Sequence, residues 1–193
     1  MRDQCYRFIT SMSSFYPESM IRQLRPEDAE VYANFRRAAL LDTPLAFAAS
    51  PEDDMACSGE AVRERLKQGG VIFGAFDPAL VGTLGLYRDQ HIKAAHKVHL
   101  WGMYVAPEHQ QQGIGAKLLD AAVQYARSLP DITLIRLSVS SAAPAAQRLY
   151  ERAGFRIWGT EPDSLRHNGQ SVTEYHMVLQ IGQGGACKSA AIT

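Results

Sequence analysis

From residue 20 to residue 181 the chain switches repeatedly between a hydrophobic period of two and one of three to four, the marks of strands and of amphipathic helices. Met20-Ile21-Arg22-Gln23-Leu24-Arg25 alternates and predicts a strand. Pro26-Glu27-Asp28 follows, with a proline suited to a first turn and acids suited to a helix N-terminus. Asp28 to Leu41 and Gly59 to Gln68 carry apolar residues at helical spacing. Val71–Phe76 and Leu80–Arg88 read as strands joined at Asp77-Pro78. Lys97–Val105 is a longer strand, apolar from Leu100 onward. Gly115–Ser128 places Leu118, Ala122 and Tyr125 on one helical face and stops before Pro130. Ile132–Val139 predicts a strand, and Ala145–Ala153 a helix closed by Gly154 at C′. Phe155–Gly159 and Val172–Leu179 complete the set. The order β-α-α-β-β-β-α-β-α-β-β describes an α/β fold, a mixed sheet flanked by helices, without repeat or internal linker.

The ends differ from this body. Met1 to Ser19 lacks sustained periodicity and reads as an extension, non-native or disordered, with no apolar core of a secretory signal. Gly182 to Thr193 is small, polar and aperiodic, as a disordered tail is. The 193 residues suit one domain, placed at 20–181. Twenty basic and twenty acidic residues cancel, so no global field for nucleic acid or an anionic membrane is expected. No apolar run approaches the roughly 20 residues of a membrane span. Cys5, Cys57 and Cys187 match no zinc or redox spacing and read as free thiols of a cytoplasmic protein; no metal site is expected.

Candidate chemistry concentrates in two segments. In the first, the strand ending at Val105 runs through a polar turn into Gln110-Gln111-Gln112-Gly113-Ile114-Gly115-Ala116, where a helix opens. A helix start leaves backbone N–H groups unpaired at the positive end of its dipole, a seat for phosphate. Glycines let a bulky anion approach the main chain. A dinucleotide fingerprint fails because Leu118 stands where the third glycine belongs, and Gly115-Ala116-Lys117-Leu118 supplies no P-loop. The second segment is Leu149-Tyr150-Glu151-Arg152-Ala153-Gly154-Phe155 at a helix end. Gln110-x-x-Gly113-x-Gly115 resembles the acyl-CoA pyrophosphate loop of the GNAT N-acetyltransferase superfamily. Leu149 to Phe155 is similar to its motif B, in the right order and one strand and one helix later.

The resemblance implies a V-shaped cleft between two splayed parallel strands, here Leu100–Val105 and Leu134–Val139, opened by a β-bulge in the first. It implies acetyl-CoA as co-substrate. The main chain at Met103, Tyr104 and Val105 would receive the pantetheine arm as an added strand. The amides of Gln110, Gln111, Gln112, Gly113, Ile114, Gly115 and Ala116 would receive the pyrophosphate. Two departures stand out. Ala143 occupies a position where the family often has Asn, so Ser140 or Ser141 is expected to replace that contact and to cap the helix. Gln110 replaces the commoner Arg and removes a positive charge.

The implied activity is acetyl transfer from the thioester to a primary amine by direct attack in a ternary complex. The alternative is a CoA-binding or regulatory domain of the same fold without turnover. By resemblance Tyr150 is the acid at the thioester sulfur; it is otherwise a packed aromatic with a polar tip. Strand alternation puts His99, Trp101, Met103 and Val105 on one face. His99, where many relatives have Glu, is either the base or a half-exposed strand histidine without a role. Glu108 is expected to face solvent, and His91, His96, His167 and His176 to be surface residues. The acceptor pocket is expected near Asp42–Cys57 and Thr160–Thr173, where Phe47 and Trp158 are candidate walls or core. The Glu52-Asp53-Asp54 run either attracts a cationic amine or is a solvated loop. The acceptor is a small-molecule amine or a protein or peptide amine, and the resemblance leaves room for a homodimer.

Overall fold

The computed structural model of the chain describes residues 20–182. The expectations for residues 1–19 and for 183–193 lie outside the described residues. Seven strands form one sheet: β1 (Met20–Gln23), β2 (Val71–Asp77), β3 (Ala79–Arg88), β4 (Lys97–Val105), β5 (Leu134–Ser140), β6 (Arg156–His167) and β7 (Gln170–Gln180). Their spatial order is β1-β2-β3-β4-β5-β7-β6. Every neighbouring pair is antiparallel except β4 and β5. The helices are α1 (Ala29–Asp42), α2 (Gly59–Lys67), α3 (Ile114–Ser128) and α4 (Pro144–Arg152). The element order is the one that periodicity predicts.

Each face of the sheet carries its own core. On one face Tyr32, Ala33, Val62 and Leu66 of α1 and α2 pack with Leu24, Ile72 and Leu80, all buried, and with Trp101. On the other, Leu118, Leu119, Ala122 and Ala126 of α3 pack with Val81, Leu84, Leu86, Val98, Leu100, Ile135, Leu137 and Val139. Tyr150 and Phe155 extend this second core beneath α4. At about 25 cal/mol per Å² of apolar surface, two such cores are the main source of stability. They also fix which side each strand residue faces.

β4 departs from simple alternation. Its register with β3 shifts by one residue: Leu86 pairs with Leu100 and Gly85 with Trp101, but Thr83 pairs with Tyr104. The extra residue lies at Gly102, whose φ of +64° is the left-handed conformation that glycine takes without steric cost. Across this bulge the two faces exchange. His99 and Trp101 face the α1–α2 side, whereas Met103 and Val105 pack against the α3 core with Val98 and Leu100. The expectation that all four share one face is therefore corrected. Tyr104 takes the α1 side instead, its ring 5.5 Å from Phe35 and its hydroxyl donating to Asp42 at 2.9 Å.

The β6–β7 hairpin is the other correction. β6 runs on to His167, well beyond Gly159, and turns at Asn168-Gly169, with φ of +49° and +77°. Asn-Gly between two strands is a strong two-residue hairpin signal. Pro162 is tolerated because β6 is an edge strand, and the register shifts between Glu161 and Leu165 around Asp163 (φ +56°). The segment at 160–173, expected to border the acceptor pocket, is thus largely hairpin.

Candidate functional site

β4 and β5 share only three paired positions, Lys97 with Leu134, Val98 with Ile135 and His99 with Arg136. Beyond His99 the main chain of β4 has no ladder partner on the β5 side, while β5 continues to pair with β7 up to Ser140. The next segment, Ala106 to Gly113, forms the turn into α3. Pro107–His109 is a short 3-10 turn, and Gln111 and Gly113 take φ of +60° and +79°. Gly113 is the N-cap of α3 and, having no side chain, leaves the first-turn amides without a side-chain acceptor. A Cβ built on Gly113 meets no atom within 4 Å, so the space over this turn is open. Gly115 is different. A Cβ there would lie 3.2 Å from Leu149 of α4, so its absence lets the two helices approach. Ile114 is buried in the α3 core and offers only its main chain to the turn. The side chains of Gln110 and Gln112 fold back, donating to the carbonyls of Val105 at 3.0 Å and Glu108 at 3.1 Å. Glu108 is exposed, as expected.

The second segment has a structural logic of its own. Gly154 donates to the carbonyl of Glu151 at 3.0 Å, and Phe155 to that of Tyr150 at 3.0 Å. These are the two bonds of a Schellman helix stop, with Gly154 left-handed at φ +92°. The accompanying apolar contact joins the rings of Tyr150 and Phe155, 5.8 Å apart. The motif therefore fixes Tyr150 from its main chain and from its ring. Tyr150 is 5% exposed, and burial alone holds its hydroxyl far above the ordinary tyrosine value. The neutral hydroxyl is the favoured form at pH 7.

Ser141 does not cap α4. Its main-chain N–H donates to the carbonyl of Thr173 at 2.8 Å and its hydroxyl accepts from the Thr173 N–H at 3.2 Å, which ties the loop to β7. Ser140 accepts from the N–H of Ala142 at 3.1 Å. The N-cap of α4 is Ala143, without a side-chain acceptor, and Pro144 spares one of the orphan donors. The expected cap is replaced by a turn, because both serines lie too early to reach the helix.

A cleft of about 390 Å³ opens on the α1–α2 face, beside the point where the pairing of β4 with β5 ends. His99, Trp101 and Gly102 of β4, Arg136 and Ser138 of β5, Phe47 after α1, and Trp158, Glu174 and His176 of the hairpin line it. The ring of His99 stacks on Tyr87 at 4.8 Å, and its Nε2 lies 3.7 Å from Asp89. Burial pulls its pKa below the ordinary histidine value; Asp89 opposes the shift, while Arg136 and Lys97 add to it. Neutral imidazole is the favoured form at pH 7. Tyr150 does not line this cleft but stands in the α3-side core. Phe47 and Trp158 are walls, as one of their two readings had it. Asp54 is neither lure nor solvated: it holds Arg36 at 2.8 Å and the N–H of Ala56 at 2.8 Å.

His176, read as a surface residue, is a cleft residue bonded between Ser138 at 2.8 Å and Glu161 at 3.2 Å. Arg36 and Arg136 were not singled out by sequence. Arg36 interrupts the buried stripe Ala29, Tyr32, Ala33, Ala39, Leu40 at helical spacing, a charge where the pattern calls for an apolar group. That was a readable signal. Among the described residues no group of three His, Cys, Asp or Glu side chains is placed to hold a metal, and no helix is long and apolar enough to cross a membrane.

Comparison with known proteins bears on this geometry. A sequence model described as the Acetyltransferase (GNAT) family matches residues 30–155. A spermidine N(1)-acetyltransferase from Vibrio cholerae is 32% identical over 94 residues, 49% of this chain and 54% of that protein. The chain thus spans about half the length of the curated relative it matches. An acetyltransferase of the GNAT family from Streptococcus pneumoniae superposes with a TM-score of 0.76 at 23% identity, covering 86% of this chain and 100% of that one. A putative acetyltransferase from Salmonella typhimurium, solved with its cofactor acetyl-CoA, gives 0.74 at 20% identity over 89% and 99%. At these identities the structural likeness is one of fold.

Proposed function

We propose that the chain, which belongs to the GNAT acetyltransferase family, moves an acetyl group from acetyl-CoA to a primary amine by direct attack. The observation that carries this reading is the join of three features: the side-chain-free cap of α3, the unpaired edge of β4, and Tyr150 fixed in the core against which Met103 and Val105 pack. The turn fits a pyrophosphate. Its first-turn amides lack side-chain acceptors, and the space over Gly113 is open. On this reading the amides from Gln111 to Ala116 hold the pyrophosphate, that of Gln110 being given to the Pro107 carbonyl at 3.2 Å, and the main chain from Met103 to Val105 holds the pantetheine. Acetyl-CoA supplies the activated acyl group as a thioester.

The chain's own residues then handle two protons. An alkyl amine has a pKa of about 10 and is mostly protonated at pH 7, so it must lose a proton before attack. His99, neutral and open to the cleft, accepts it directly or through water. Tyr150, kept protonated by burial, donates at the sulfur as the thiolate leaves. Cys57, whose thiol burial pushes up, does not line the cleft, in keeping with direct attack. His99 lines the cleft and Tyr150 stands in the α3-side core, so each group works from its own face.

Thiol release from acetyl-CoA across a panel of amines tests the reading. Amine-dependent release is expected, together with a rise in Tm on adding acetyl-CoA. A rise in Tm with no release for any amine would favour a CoA-binding domain without turnover. His99 carries a pH prediction. The base works only when neutral, so activity is lost as pH falls through its pKa, and burial sets that pKa below about 6.5. The acidic limb of kcat/KM should therefore have its midpoint below pH 6.5. His99→Gln should remove this limb and lower turnover at pH 7 by roughly 10²-fold. Unchanged turnover at pH 7 would remove His99 as the base.

A further inference from the structure

We infer that the acceptor is a small amine that also carries a carboxylate, of amino-acid type, with the acid seated on Arg36 and Arg136. This rests on the acetyl-transfer reading and names its substrate class. Arg36 is built into the protein as few arginines are. Its side chain is only 7% exposed, its Nε donates to Asp54 at 2.8 Å, and its guanidinium lies over the Phe47 ring at 4.6 Å. The other Asp54 oxygen is taken by the Ala56 N–H, so the aspartate is committed twice. Its Nη1 is buried and without a hydrogen-bond partner among the described residues. It borders Gly102, a cleft residue: a Cβ there would meet Nη1 at 3.7 Å. A buried guanidinium N–H with no acceptor is costly, and native proteins seldom leave one without a reason.

Arg136, on β5, repeats the pattern in the lining of the same cleft. It pairs in register with His99, its guanidinium lies 5.1 Å over Trp158, and its Nε is buried without a partner. No carboxylate stands within ion-pair distance of it among the described residues. Two arginines, both stacked on aromatic rings and both with an unused donor, therefore border one small cleft. Planar guanidinium forks of this kind match a carboxylate. Glu174 and His99 line the same cleft and suit the ammonium end. Glu174 accepts from the Ser164 hydroxyl at 2.7 Å, which steadies it. The volume, about 390 Å³, is at the small end for ligand pockets. A polyamine would bring further positive charge toward Arg136 and leave both arginine donors unmet, a mismatch that selects against it.

The test compares amino acids, their carboxamides and polyamines such as spermidine as acceptors with the full chain and acetyl-CoA. Amino acids should exceed both other groups in kcat/KM by at least about 10²-fold, because a site built for a polar group rejects analogues lacking it. Arg136→Gln should raise KM for the preferred amino acid by roughly 10–100-fold, with a smaller change in kcat, and should change KM for its carboxamide far less, so that the preference between the two narrows. Arg36→Lys should act in the same direction. Because that change touches a buried ion pair, Arg136→Gln decides if Arg36→Lys unfolds. Polyamines or carboxamides turned over as well as amino acids would overturn the inference, as would an Arg136→Gln enzyme that keeps the wild-type preference. If acetyl-CoA raises Tm but no amine is turned over, the acetyl-transfer reading fails. Ligand-observed NMR on the acetyl-CoA complex then decides this inference: amino-acid binding lost in Arg136→Gln supports it, and no amino-acid binding sinks it.

Discussion

Tyr150→Phe should lower kcat by roughly 10²–10⁴-fold, or about 3–5 kcal/mol, the range of a general acid acting at a leaving group. The fold should survive the change. The bond that places residue 150 in the helix stop comes from its carbonyl, and the contact with Phe155 from its ring; phenylalanine keeps both. The Tm and its rise with acetyl-CoA should therefore match those of the wild type. Leaving-group dependence separates catalysis from packing. If the hydroxyl protonates the departing sulfur, the deficit should shrink with acetyl thioesters of more acidic thiols, whose thiolates need less help. A Tyr150→Phe enzyme within a few-fold of wild type on acetyl-CoA would make Tyr150 a packing residue and leave the sulfur without a donor from this helix.

The two motifs that led to this prediction were legible because each is local. A glycine-opened helix start and a helix stop are written in consecutive residues, and their geometry follows from steric rules on a single turn. Element order was legible for the same reason, since periodicity reports on one element at a time. What escaped depends on register or on the partner across a gap. The face taken by Met103 follows from one residue inserted at Gly102, and a run of apolar residues reads alike on either side of a bulge. His176 and Arg136 enter the cleft because β7 and β4 flank β5, a neighbour relation that no local pattern encodes. Arg36 and Asn168-Gly169 are different: both were visible, one as a charge in an apolar stripe, the other as a hairpin dipeptide. The charge in the stripe mattered more, because it marks a cleft that the cofactor motifs leave undescribed.

Gly102→Val places the strongest demand on this account, because one residue sets both sides of β4. At φ +64° a β-branched side chain is a steric outlier, and the strain costs about 1–3 kcal/mol. The chain can keep the bulge and bear the strain, or straighten. Straightening slips the register by one residue and turns Met103 and Val105 out of the α3 core, or turns His99 and Trp101 out of the cleft. Trp101 has little latitude, since its ring lies against Gly85, where a Cβ would sit 2.2 Å from Cε2. Both routes destabilise. At about 2–4 °C per kcal/mol for a chain of this size, Tm should fall by roughly 2–12 °C. The loss in acetyl-CoA binding should be larger than that strain implies, because the main chain from Met103 to Val105 is the proposed pantetheine edge and would no longer present its groups toward the gap beside β5. Gly102→Asn is the control. Asparagine tolerates the left-handed region far better than valine and should recover most of both properties. If Gly102→Val melts with the wild type and keeps its full response to acetyl-CoA, the bulge does not set the cleft, and the opening between β4 and β5 must come from the sheet twist or from α3 instead.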